Sequence, residues 1–268
     1  MPKAFLIDLT KCMGCRACQV ACKRWNNLEA EHTSMTSDSW TNPFRLSART
    51  WTRVDFTELQ SPQYKAGMKW VFARRQCMHC LHPACVSACP VGAFRKTDEG
   101  PVVYDAQKCI GCRYCMVSCP FGVPGFEWDK GLLAQPLIKK CKMCVDRLGA
   151  GMEPACVKHC PPRATIFGER DELLATAKER IAANPDTYIN HIYGENEVGG
   201  TSMLYLSSVP FEQIGFPKLG SEAVTVNTEA VMEKTLPFAA AWTVILAATY
   251  GVVKFRERTN PQGEEKNQ

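Results

Sequence analysis

Residues 109–120 read CIGCRYCMVSCP, a C-x2-C-x2-C-x3-C-P run without a deviation. A run of this spacing turns three thiolates onto one iron–sulfur cubane and lends its fourth to a neighbouring one. Three further clumps lie outward from it: Cys77/Cys80/Cys85/Cys89 before it, Cys141/Cys144/Cys156/Cys160 after it, and Cys12/Cys15/Cys18/Cys22 near the start. Together the clumps use all sixteen cysteines of the chain. Sixteen thiolates make the ligand set of four [4Fe–4S] clusters.

Other uses of the cysteines fit less well. A disulfide framework belongs to small secreted domains that cannot bury a core, whereas this chain has 268 residues of which 46% are apolar. Thiols in adjacent C-x2-C positions are also badly placed to bridge one another. Zinc would use the same count, and CKMC followed after eleven residues by CVKHC resembles a zinc ribbon in isolation. Ribbons, however, present two separated C-x2-C knuckles. The first and third clumps instead place three cysteines within seven residues and add a fourth, and three clumps end in Cys-Pro, at Pro90, Pro120 and Pro161. Structural zinc stays a remote alternative.

Spacing also suggests how the clumps pair. Between the second and third, VGAFRKTDEGPVVYDAQK predicts a hairpin with a Glu99-Gly100 turn before the β-prone Val102-Val103-Tyr104. These two clumps form one two-cluster unit, and the first and fourth form the other. With each run donating its last cysteine across its pair, one cluster takes Cys77, Cys80, Cys85 and Cys119, and another Cys89, Cys109, Cys112 and Cys115. The remaining two take Cys12, Cys15, Cys18 and Cys160, and Cys22, Cys141, Cys144 and Cys156. The expected fold is α+β: two ferredoxin-like two-cluster lobes, one inserted in the other, plus a C-terminal transmembrane helix. Residues 1–68 and 126–230 would make the first lobe with an insertion and an extension, and 69–125 the second. A transmembrane helix over 235–254 and a cytoplasmic tail over 255–268 would follow.

The formal charge of +5, from 32 basic and 27 acidic residues, counts every thiol as neutral. Sixteen bound thiolates and four oxidised cores of about +2 each would change it by about −8, to roughly −3. The basicity is therefore no argument for nucleic acid. Pairs such as Arg74-Arg75 and Lys139-Lys140 read as solvated surface, or as contacts to a partner subunit.

Around the clumps the chain reads as packing material. Ala4 to Leu9 predicts a strand whose mate is the Ala164 to Phe167 stretch. Asp171 to Ala183 predicts a surface helix with Leu173, Leu174, Ala177 and Ile181 on one face. Residues 31–68 resemble a long insertion whose Trp40, Phe44 and Trp51 read as satellite core rather than interface. With sixteen cysteines filling four sites, His79, His82 and His159 are expected to hydrogen-bond cluster sulfur or to pack, not to ligate. Trp25, Tyr114 and Trp128 would exclude water near clusters. No triad or phosphate loop is present, and Gly199-Gly200 lacks the context of a dinucleotide fingerprint.

TLPFAAAWTVILAATYGVV, Thr235 to Val253, passes nineteen residues without a charge. That length crosses a hydrocarbon core as a helix, with Pro237 in its first turn. A helix buried in a soluble core is the alternative. Lys254, Arg256 and Arg258 follow at once, which by the positive-inside tendency puts the tail in the cytoplasm and the cluster body on the outer face of the inner membrane. The start, MPKAFLIDLTKC, reads as no signal peptide. Export would then occur already folded, on a partner with a twin-arginine signal; the alternative is a cytoplasmic body.

The four runs in this order resemble the four-cluster iron–sulfur subunits of molybdopterin oxidoreductases and membrane-bound hydrogenases. CMGCRACQVACKRWNNL, LSARTWT, CMHCLHPACVSACP, CIGCRYCMVSCPFGVP, CKMCVDRLGAGMEPACVKHCP and IYGENEVGGTSMLYL look most like the beta subunit of membrane-bound formate dehydrogenase, over almost the whole chain. CRYCMVSCPFGVP and YGENEVGGTSMLYLSSVPFEQIGFPKL also resemble the anchored iron–sulfur subunit of a periplasmic nickel–iron hydrogenase, which usually carries its own export signal. The same relay in a sulfur-compound reductase is a further alternative.

The resemblance implies an order. The cluster matching Cys12, Cys15, Cys18 and Cys160 would face a molybdopterin-containing catalytic subunit, followed by that of Cys22, Cys141, Cys144 and Cys156, then that of Cys77, Cys80, Cys85 and Cys119. The one matching Cys89, Cys109, Cys112 and Cys115 would lie nearest the lipid bilayer and serve a membrane cytochrome b or a quinone site. Some relatives lack a cysteine at the position of Cys112 and hold a [3Fe–4S] cluster; this chain keeps it, so four cubanes are expected. The resemblance implies an electron-transfer subunit with no catalytic site of its own.

Overall fold

The computed structural model describes residues 2–34, 39–64, 67–128 and 136–259. Chain contacts divide it into a body, Met1–Val224, and a C-terminal unit, Thr225–Gln268.

The body opens with β1 (Lys3–Asp8) and α1 (Ala17–Trp25), then the hairpin β2 (Thr52–Gln60) and β3 (Met68–Gln76). Next come α2 (Ala84–Ser87), the hairpin β4 (Phe94–Lys96) and β5 (Val102–Tyr104), and α3 (Tyr114–Val117). They are followed by β6 (Gly125–Trp128), β7 (Pro136–Lys139), α4 (Val145–Gly149) and α5 (Ala155–Lys158). The body continues with β8 (Thr165–Glu169), α6 (Arg170–Ala183) and β9 (Met203–Leu206). The C-terminal unit contains α7 (Val226–Thr259).

β1 is the middle of a three-stranded sheet, antiparallel to β8 and parallel to β9. Its side chains alternate between faces. Phe5 and Ile7 join Met203 and Tyr205 in one core, and Ala4 and Leu6 join Leu204, Leu206 and, from α6, Leu173 and Ala177 in another. A strand covered on both faces reads as an unbroken apolar run. MLYL at 203–206 is one, with all four residues buried, and its lack of alternation hid the third strand from sequence reading.

The sheet also braces the cysteine-bearing segments. Asp8, fully buried, accepts from Tyr188 at 2.9 Å and from Arg180 at 3.0 Å, so the end of β1 just before the first clump is pinned to α6. The Lys3 N–H donates to Glu99 O at 2.9 Å across the β4–β5 turn. Gly100 there has φ +117° and lies so close to Lys3 that a Cβ would stand 2.8 Å from its carbonyl oxygen. Only glycine makes that approach without strain.

Three expectations need correction. Thr52–Gln60 and Met68–Gln76 pair over nine residues each as a regular antiparallel ladder, so the segment 31–68 carries a strand and is not irregular throughout. Trp51 is half-buried against a core cluster, but Trp40 and Phe44 are 61% and 43% exposed and are not satellite core. Pro237 lies inside α7, which begins at Val226, rather than in a first turn. A proline there removes the N–H that the Glu233 carbonyl would otherwise receive. Among the described residues, Glu229–Thr259 is one helix long and apolar enough to cross a membrane. The tail expected over 255–268 is helical through Thr259, and 260–268 lie outside the described residues.

Candidate metal centres

Each clump starts with the same backbone device. In the opening C-x2-C turn of each clump the residue before the second cysteine takes the left-handed conformation: Gly14 at φ 69°, His79 at 46°, Gly111 at 75° and Met143 at 58°. This reversal aims backbone N–H groups back at the first sulfur. Gly111 N–H donates to Cys109 Sγ at 3.4 Å and Met143 N–H to Cys141 Sγ at 3.4 Å, and Gly14 likewise serves Cys12. Two of the four residues are glycines, which adopt the conformation freely. His79 and Met143 are not, and both are buried, so packing holds them in it. Short helices then present the later cysteines: Cys18 and Cys22 in α1, Cys85 in α2, Cys115 in α3 and Cys156 in α5.

Mutual repulsion of the thiols shows which of them meet. Burial, then Cys160 and Cys15 among other thiols, pushes Cys12 up. Burial raises Cys22 to about 11, with Cys156 and Cys144 adding to it. Cys80 is raised by burial, then by Cys77, Cys119 and Cys85. Cys115 rises to about 11 through burial, then Cys109, Cys112 and Cys89. The last cysteine of each clump thus lies with cysteines of another clump.

Thiols of neighbouring quartets also feel one another's charge, in a definite order. Cys18, pushed up to about 12 by burial, feels Cys156 of the second quartet. Cys141, buried and raised, feels Cys77 of the third. Cys85, at about 12 by burial, feels Cys115 of the fourth. All four cysteines of the second quartet are buried, whereas Cys15 in the first and Cys112 in the fourth are exposed. Cys15 borders an apolar groove with Trp40, Phe56, Trp70 and Phe72. Cys112 has exposed Ile110, Tyr114 and Val117 around it.

The donor set suits a sulfur-ligated polynuclear group. Cys22, Cys141, Cys144 and Cys156 line one recess, and Cys77, Cys80, Cys85 and Cys119 line another. No carboxylate lines either recess. All sixteen cysteines are free thiols, and among the described residues no group of three or more Cys, His, Asp or Glu closes tightly enough for a single metal ion. A cubane core, which spaces its ligands around several metal atoms, fits such open quartets.

Two basic residues read from sequence as surface are buried at these recesses. Arg74 lines the first recess at 2% exposure, and its Nη2 donates to Cys156 Sγ at 3.0 Å. Burial opposes its charge, but Cys156 and Cys18 outweigh burial and raise its pKa. Lys140 lines the second, where its Nζ donates to Val102 O at 2.6 Å and Cys141 O at 3.2 Å. Each stands just before a cysteine run, Arg74 three residues from Cys77 and Lys140 next to Cys141. That proximity was the available signal.

The histidines divide. His79 lies in the recess of the third quartet, buried, with its pKa pushed down by burial and by Lys140 and Lys96. His82 and His159 are exposed. Trp25, Tyr114 and Trp128 are 40%, 62% and 58% exposed, so only part of each ring can shield anything in this chain.

Cysteine quartets whose C-x2-C turns aim backbone N–H groups at sulfur, two of them lining carboxylate-free recesses, define an iron–sulfur electron-transfer protein. Comparison with known proteins agrees. Two family profiles, each described as 4Fe-4S dicluster domain, match residues 68–170 and 11–93. The Hydrogenase-2 operon protein HybA of Escherichia coli O157:H7 is 38% identical over 258 residues, covering 84% of this chain and 76% of its own. The nitrate-inducible formate dehydrogenase iron-sulfur subunit of Escherichia coli K12 is 38% identical over 206 residues, covering 76% of this chain and 67% of its own. The formate dehydrogenase iron-sulfur subunit of Haemophilus influenzae is 37% identical over 206 residues, 76% of this chain and 64% of its own. The chain belongs to this family of 4Fe-4S dicluster-type iron–sulfur subunits, and is an electron-transfer subunit of formate dehydrogenase- or hydrogenase-type complexes.

Proposed function

We propose that the chain relays electrons from a molybdenum or tungsten pterin subunit that oxidises formate to a membrane cytochrome b or quinone site. Four [4Fe–4S] clusters would supply the chemistry, each taking up and releasing one electron. Their ligands would be Cys12, Cys15, Cys18 and Cys160; Cys22, Cys141, Cys144 and Cys156; Cys77, Cys80, Cys85 and Cys119; and Cys89, Cys109, Cys112 and Cys115. One observation carries the reading: the charge effects of Cys156 on Cys18, Cys77 on Cys141 and Cys115 on Cys85 put the quartets in a line whose end quartets hold the exposed Cys15 and Cys112. A line with a buried second quartet and an exposed cysteine at each end suits entry at one partner and exit at another.

The residues around the quartets do the rest. Backbone N–H groups of the C-x2-C turns neutralise sulfur charge, and the core side chains Phe5, Met143 and Val157 keep water from the middle of the line. In this reading 1–68 with 126–230 and 69–125 are the two lobes, and the β2–β3 hairpin straddles their border. α7 spans the inner membrane, and the body stands on its outer face, exported with the catalytic partner.

Hydrogenase is the second reading. It is favoured by the longer match to HybA, 258 residues against 206. Metal analysis of the large subunit that co-purifies with the chain separates them. Molybdenum or tungsten is expected; nickel overturns the formate assignment and leaves the relay in place.

A further inference from the structure

Arg74 is a cation buried without a carboxylate. It sits on β3, opposite Val54, and its Nη2 donates to Cys156 Sγ at 3.0 Å. Its Nε and Nη1 are buried and have no partner in the protein. Asp55, the nearest acidic residue on the same hairpin, pairs with Arg53 and Arg75 instead. Among the described residues no ion pair involves Arg74. A lone buried guanidinium is costly unless something negative lies beside it. The recess it lines holds Cys22, Cys141, Cys144 and Cys156, and a cluster bound there would bring that charge.

We propose that Arg74 is the positioning residue of the second quartet, holding a fixed positive charge and a sulfur-directed N–H group against its cluster and raising that cluster's reduction potential. This rests on the four-cluster reading above. One-electron reduction adds one negative charge at the centre, and the guanidinium stabilises that state more than the oxidised one. No proton moves, because arginine stays protonated in proteins. The electron comes from substrate oxidised at the catalytic partner. At the third quartet Lys140 also lines the recess as a positive charge, but it gives its N–H bonds to the Val102 and Cys141 carbonyls rather than to sulfur.

The test is an EPR-monitored redox titration of the purified complex carrying wild-type chain, Arg74→Lys or Arg74→Gln, with iron counted in each. In Arg74→Gln the largest fall should be at one cluster, the one also altered by Cys22→Ser, whose reduction equilibrium should weaken at least tenfold, 59 mV for one electron. The first cluster, whose Cys18 also feels the Arg74 charge, should fall less, the third and fourth should stay, and Arg74→Lys should fall less than Arg74→Gln. Unmoved midpoints at wild-type iron content, or a shift confined to another quartet's cluster, overturn the proposal. Should Arg74→Gln fail to assemble, pulsed EPR on wild-type complex grown with guanidino-¹⁵N arginine decides. A ¹⁵N coupling at the reduced second cluster, absent in Arg74→Lys, supports the assignment, and its absence in wild type overturns it. A wild-type complex without iron–sulfur signals would instead refute the four-cluster reading itself.

Discussion

The Val102 backbone N–H donates to Nδ1 of His79 at 2.9 Å, fastening the turn of the second clump to strand β5. Acting as an acceptor there, Nδ1 leaves the proton on Nε2, which faces no protein partner. His79→Ala strands a buried N–H, a loss of about 1–3 kcal/mol. His79→Asn should lose less, because asparagine tolerates a positive φ and keeps an acceptor. Urea midpoints of the cluster-loaded protein give the comparison, and equal losses would show that the hydrogen bond contributes nothing.

Gly14 and Gly122 both have positive φ, +69° and +60°, but differ in their surroundings. A Cβ on Gly14 would stand 2.9 Å from the Phe72 ring, whereas one on Gly122 meets nothing within 4 Å. Gly122→Ala should cost only the backbone strain, about 1–2 kcal/mol. Gly14→Ala should cost more, since Phe72 must also move. Thermal unfolding of the two variants settles the order.

Asp8 and Arg180 form an ion pair with unequal burial, 0% and 22% side-chain exposure. Removing the arginine leaves a carboxylate enclosed, whereas removing the carboxylate leaves an arginine that can turn to water. Arg180→Met should therefore destabilise by about 3 kcal/mol and Asp8→Asn by less. Denaturation at neutral pH, with m-values compared, checks this, and the reverse order would contradict the burial argument.

The exchange of cysteines between clumps has its own signature. Cys22 follows Cys18 in α1 but lies with Cys144 and Cys156. Cys22→Ser should alter the same EPR signal as Cys141→Ser and spare the one altered by Cys12→Ser. If Cys22→Ser and Cys12→Ser instead disturb one common signal, each clump binds its own cluster and the exchange is wrong.

How much of this was readable beforehand follows from range. The C-x2-C turns, the β4–β5 hairpin with its Glu99-Gly100 turn and helix α6 depend on neighbours a few residues away, and they stand where local spacing puts them. β9 was missed because MLYL is covered on both faces, which erases the alternation that marks a strand. Arg74 looked like surface because its partner, Cys156, is 82 residues further on. Pro237 was misplaced because the helix begins at Val226, upstream of the charge-free stretch that defined it, in a segment interrupted by Glu229, Glu233 and Lys234.

The most direct measurement is iron and acid-labile sulfide per chain in the purified complex, after subtracting what the isolated catalytic partner binds. Sixteen cysteines in four quartets predict about sixteen of each. Zinc in place of iron, or about eight of each with wild-type folding, would contradict a four-cluster relay.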